Sequence, residues 1–136
     1  MVLILKQEIL AICNLHYLNY KEMTNKETLI KANAAIDNAD HEGFLAYCTD
    51  DTVWNFMGGI SLRGKQAVKQ YMDATYIEPP VNKVAQLLAD GDYVIATGKI
   101  SIKDKDGKVT TSDYCDVWRF ENGKMAELHA YVVEEK

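Results

Sequence analysis

Residues 84–133 read VAQLLADGDYVIATGKISIKDKDGKVTTSDYCDVWRFENGKMAELHAYVV. Three turn dipeptides, Asp90-Gly91, Asp106-Gly107 and Asn122-Gly123, divide this stretch into four segments. Asp-Gly and Asn-Gly accept the positive φ that tight hairpin turns demand, so they are the strongest short-range hairpin signals. The segments between them, Val84–Ala89, Tyr93–Lys103, Val109–Phe120 and Met125–Val133, read as alternating strands. The stretch therefore predicts a meander of four long antiparallel strands.

Working back from this meander, the chain turns helical. Pro79-Pro80 closes a helix predicted over Gly64–Tyr76, whose Val68, Tyr71, Met72 and Thr75 share one side. Thr52–Met57 reads as a strand broken by Gly58-Gly59. Asp40 caps a short helix carrying Phe44, Leu45, Tyr47 and Cys48. Thr24-Asn25-Lys26-Glu27 has the form of a capping box, with a helix over residues 25–38 behind it. Helices segregated to one side of an antiparallel sheet define the α+β class. A curved antiparallel sheet of this kind wraps cone-like around its three helices and leaves a pocket between them. Its outer face needs a cover, and a second copy of the chain is the expected one.

A length of 136 residues fits one domain, over residues 23–136, long enough to bury a core without disulfide or metal staples. Residues 1–22 form an extension, read either as an extra helix or as sequence upstream of a start at Met23. A net charge of −5, with Lys99, Lys103, Lys105 and Lys108 interleaved with Asp104 and Asp106, argues against nucleic acid as a partner. The apolar run Val2–Leu5 is too short to span a bilayer, so no membrane partner is expected. Cys13, Cys48 and Cys115 fit no metal motif and read as reduced thiols in a cytoplasmic setting. No cofactor or metal is expected.

The stretches Asn33–Gly58, Gly64–Tyr76 and Asp116–Met125 together resemble the nuclear-transport-factor-2-like superfamily, in particular its SnoaL-like polyketide cyclases and ketosteroid isomerases. The resemblance implies the cone-shaped α+β fold, also called cystatin-like, and a pocket for a small apolar molecule. It implies an activity less clearly, because one fold hosts many functions. In the isomerases a carboxylate near the end of the first strand takes the substrate proton. The matching residue is Asn55, whose amide has no useful basicity. Their helix-borne tyrosine falls near Lys31 and Ala32 and is missing, whereas their neutral aspartic acid on the penultimate strand is matched by Asp116. The cyclase acid on the last strand is replaced by Ala130.

Strand alternation selects the pocket side chains. A two-residue Asp106-Gly107 turn places Asp116 opposite Thr97, Tyr114 opposite Lys99 and Trp118 opposite Ile95, all on one face. Ala96, Gly98, Ile100, Cys115 and Val117 then form the other face, suited to a homodimer interface. For the last hairpin two registers are open. A two-residue Asn122-Gly123 turn puts His129 opposite Asp116. A three-residue loop with a bulge at Gly123 puts Leu128 there and turns His129 and Tyr131 outward, which the resemblance favours. The candidate catalytic residues are Asp116, as a neutral acid, and His129, as a base if it faces in. The candidate ligand-binding residues are Trp54, Asn55, Met57 and Tyr71 from the first half, and Thr97, Lys99, Tyr114 and Trp118 from the meander. They allow either a non-catalytic module for a small apolar molecule or a cofactor-free isomerase or cyclase-like lyase on a small carbonyl compound.

Overall fold

In a computed structural model of the chain, residues 6–9 and 22–136 are described. Residues 6–9 are helical and exposed. Cys13, and the reading of the rest of residues 1–22, lie outside the described residues.

The helices and strands follow in the order α1 (Asn25–Asp37), α2 (His41–Leu45), β1 (Cys48–Phe56), β2 (Ser61–Arg63), α3 (Lys65–Thr75), β3 (Val81–Asp90), β4 (Tyr93–Lys103), β5 (Val109–Glu121) and β6 (Lys124–Glu134). Helix α1 starts at the expected capping box. Thr24 Oγ1 accepts from the Glu27 amide at 3.1 Å, and Glu27 Oε2 accepts from the Thr24 amide at 2.9 Å. Asp40 Oδ1 accepts from the Gly43 amide at 2.8 Å and starts α2. That helix stops at Leu45, so Tyr47 and Cys48 are not helical as expected. The Tyr47 carbonyl accepts from the Met125 amide, and Cys48 begins β1 fully buried. Here pairing with the last strand overrides local helix preference. The short strand β2, paired back on β1, falls between the two predicted elements.

The six strands form one curved, open sheet in the order β2-β1-β6-β5-β4-β3. All neighbours are antiparallel except β1 and β6, which run parallel. Helix α1 packs on β3, β4 and β6, while α3 packs on β1 and β2. The core therefore lies between the helices and the concave face of the sheet. Leu29, Phe44, Val68, Met72, Phe120 and Met125 are almost completely buried in it.

Two loop details set which side chains reach that face. The β4–β5 loop is not a two-residue turn. Asp104 Oδ1 accepts from the Asp106 and Lys108 amides, both at 2.9 Å, and holds a longer loop over residues 104–108. The register shifts by one residue, so Asp116 faces Ala96, with Tyr114 opposite Gly98 and Trp118 opposite Val94. At the other hairpin, Asn122 (φ 50°) and Gly123 (φ 78°) make a two-residue turn that leaves Glu121 opposite Lys124. A bulge then follows at Ala126, between the Phe120–Met125 and Arg119–Glu127 pairs. Asp116 comes to lie opposite Ala130 rather than Leu128 or His129, and Leu128 faces Trp118.

Candidate functional site

The concave face encloses a cavity of about 200 Å³. Its deep end is aromatic. Trp54 meets Phe44 edge to face with centroids 5.6 Å apart, and meets Trp118 at 5.9 Å, both within 10° of perpendicular. Phe56, Tyr71 and Tyr76 continue the wall, with centroid separations of 5.0 and 6.2 Å. Such tilted and T-shaped pairs are the preferred aromatic arrangements. Trp54 Nε1 is buried with no hydrogen-bond partner among the described residues.

Asp116 stands in this wall. Its neighbours across β4 and β6 are Ala96 and Ala130, and these two small side chains leave open space over the carboxyl group. No described residue makes a hydrogen bond or ion pair with that group. Burial pushes its pKa up to about 7, because the aromatic surroundings disfavour the charged form. Tyr76 is also raised, first by burial, then by Tyr71 and Asp116, and Tyr114 is raised by burial and then by Asp116. The Tyr114 hydroxyl donates to Asn82 Oδ1 at 2.7 Å. Among the described residues no lysine, arginine or histidine lines the cavity.

Of the candidate residues, the cavity brings together Asp116, Trp54, Tyr71, Tyr114 and Trp118. The other five lie elsewhere. Asn55 alternates away from Trp54 and Phe56, and its Oδ1 accepts from Ser61 Oγ at 2.9 Å. Met57 lies beyond the end of β1 and is 46% exposed, an odd number of residues from Trp54 and so off its face. Thr97 and Lys99 lie on the convex face because of the register shift. Thr97 Oγ1 donates to Gln86, and Lys99 Nζ pairs with Asp113 at 2.8 Å and with Glu135. His129, turned outward by the Ala126 bulge, has a half-exposed side chain with Nε2 3.5 Å from Glu127. Ala96, Gly98 and Ile100, expected on the dimer face, instead belong to the concave face. Cys115 and Val117 do occupy the convex one.

Ser112, Asn82, Asn33 and Asp37 also line the cavity, and none was a sequence candidate for a ligand-binding role. Ser112 shares the parity of Asp116 along β5, so alternation alone reaches it. Asn82 lies beyond a bulge between Val84 and Gln86, and no local signal marks it. Among the described residues no group of side chains is arranged to hold a metal ion, and no helix is long and apolar enough to cross a membrane.

The SnoaL-like domain family matches residues 30–128. The chain belongs to this family. Several solved structures share its fold. An uncharacterised cystatin-fold protein from Novosphingobium aromaticivorans is 23% identical with a TM-score of 0.73, over 80% of this chain and 98% of that one. The epoxide hydrolase/cyclase-like enzyme SalBIII, of pyran ring formation in salinomycin, is 16% identical with a TM-score of 0.74, over 80% and 90%. A Pseudomonas putida protein described as a polyketide cyclase is 20% identical with a TM-score of 0.67, over 81% and 92%. At these identities the likeness extends to the fold. A comparison with curated protein sequences finds no match.

Proposed function

We propose that this SnoaL-like domain binds a small, mostly apolar molecule in the cavity, and that Asp116 in its neutral form donates a hydrogen bond to an oxygen of that molecule. The observation that supports this reading is the unpartnered carboxyl of Asp116, flanked by Ala96 and Ala130 and set in an aromatic wall. A structural carboxylate in such a place needs donors or a cation, and the described residues offer it neither. A cavity of roughly 150 Å³ admits benzene. The volume here of about 200 Å³ therefore suits a molecule of one or two rings.

A second reading, a cofactor-free isomerase or cyclase-like lyase on a small carbonyl compound, is favoured by the pKa of about 7 at Asp116. An acid so placed stabilises a developing oxyanion. The fold neighbours described as cyclases lean the same way. Against it, His129 and Asn55 lie outside the cavity, so no candidate side chain supplies a separate base. We rank binding first for that reason. The proposal includes a homodimer through the convex face, supported by the exposed Leu88, Tyr131 and Val133 beside Ile95, Cys115 and Val117. It also includes a reducing, cytoplasmic setting, supported by the free thiols of Cys48 and Cys115.

Thermal shifts with 1-tetralone and with the matching hydrocarbon tetralin, at pH 6 and pH 8, test the reading. The ketone should stabilise the protein more than tetralin at pH 6, and the difference should shrink at pH 8 and vanish in Asp116→Leu. Equal shifts for ketone and hydrocarbon at both pH values would sink the role given to Asp116. Consumption of a conjugated ketone under the same conditions would move the second reading ahead of the first.

A further inference from the structure

The cavity has a second polar region, two strand steps from Asp116 along β5. Ser112 lies four residues from Asp116 on the same face of β5, about 13 Å along the strand. Its residue is 7% exposed, yet among the described residues its hydroxyl has no partner, and it lines the cavity. Asn82 stands in the same row of the sheet, since both Asn82 and Ser112 pair with Ile100. The Asn82 carbonyl oxygen accepts from the Tyr114 hydroxyl at 2.7 Å, and among the described residues its amide N–H groups have no partner. The Tyr114 ring reaches Asn82 by lying across β4 where Gly98 has no side chain. A Cβ at Gly98 would come 2.9 Å from Tyr114 Oη and 2.2 Å from the Lys83 carbonyl oxygen. Gly98, Tyr114 and Asn82 thus form a small assembly that fixes one amide, rather than three separate wall residues.

Charge narrows the ligand further. The two carboxyl groups on the wall are Asp116 and, at the last residue of α1, the exposed Asp37. No cation faces them from any described element packed around the cavity. A carboxylate or phosphate ligand would give up its hydration in this apolar cavity with no counter-ion among the described residues to offset the loss.

We infer that Ser112 and Asn82 form a second hydrogen-bonding pole, and that the ligand is an uncharged, elongated ring compound with a carbonyl oxygen for Asp116 and a hydroxyl group for this pole. The inference rests on the reading of Asp116 given above, and the two fail in different ways. Three probes separate them in calorimetric titrations at pH 6: 4-phenylcyclohexanone, 4-(4-hydroxyphenyl)cyclohexanone and 4-(4-oxocyclohexyl)benzoate. The hydroxylated ketone should bind roughly five- to tenfold more tightly than its parent, the contribution of one or two neutral hydrogen bonds. Ser112→Ala and Asn82→Leu should each reduce that advantage while leaving the parent ketone's affinity within about twofold. The benzoate should bind more weakly than the parent. If Asn82→Leu does not fold, Ser112→Ala with Tyr114→Phe reads the same pole. Binding of the parent with no gain from the hydroxyl, an advantage that survives the substitutions, or tightest binding by the benzoate overturns the second pole alone. Failure of every probe to bind overturns the reading of the cavity and the inference with it.

Discussion

Asp116 owes its behaviour to its neighbours more than to itself. Alanines on both sides in the sheet open space above it, and the aromatic wall leaves a carboxylate there poorly solvated. With its pKa raised from 3.8 to about 7, the folded protein holds a proton there that the unfolded chain has already lost. Between those two values the native state binds more protons, so stability falls as pH rises through the window and is fully present only below it. The complete shift would correspond to about 4 kcal/mol, and a carboxyl that borders an open cavity keeps roughly half of that, about 2 kcal/mol. Asp116→Asn keeps the shape and removes the proton. Urea unfolding should show the wild type losing about 2 kcal/mol between pH 4 and pH 8 relative to this variant. Curves that run parallel would show an ordinary carboxylate. At this scale the sequence is informative where one strand suffices: Asp116, Tyr114 and Trp118 share a face by simple alternation. Thr97 and Lys99 depend on how two strands meet, and for them sequence parity misleads, while for His129 the turn left both faces open.

The elements themselves were largely readable because capping and turn chemistry are local. The Thr24 box, the Asp40 cap and the Asn122-Gly123 turn sit where the sequence places them. Loop length was not readable. The Asp104 carboxylate gathers two amides and adds residues to the β4–β5 loop, and that single displacement moves Thr97 and Lys99 to the convex face. The bulge at Ala126 has the opposite history, giving the expected outward His129 by a route the turn dipeptide does not announce. Asp104→Ala should cost about 1–2 kcal/mol, two backbone-amide hydrogen bonds at a solvent-exposed loop, with the cavity unchanged. Chemical denaturation beside an amide NMR spectrum checks this. Chemical-shift changes spreading to Tyr114 and Asp116 would mean that the loop also holds the register in place, beyond what its own hydrogen bonds require.

Across the whole molecule, one sheet serves two surfaces. The concave side carries the cavity, while the convex side carries Lys99, Arg119, Glu127 and His129 among apolar residues such as Leu88, Tyr131 and Val133. A second copy on the convex side would leave the cavity untouched, because alternate side chains serve the two faces. Tyr131→Lys should therefore shift sedimentation from dimer to monomer and leave tetralone binding within about twofold. A wild-type chain that sediments as a monomer removes the dimer from the account. Everything else in the functional reading converges on the proton at Asp116, and carbon NMR titration of the aspartate carboxyl groups observes that proton directly. The account predicts one carboxyl resonance titrating near pH 7 that is absent in Asp116→Asn. Titration of every aspartate below pH 5 would contradict it, leaving Asp116 a charged residue and the cavity without its acid.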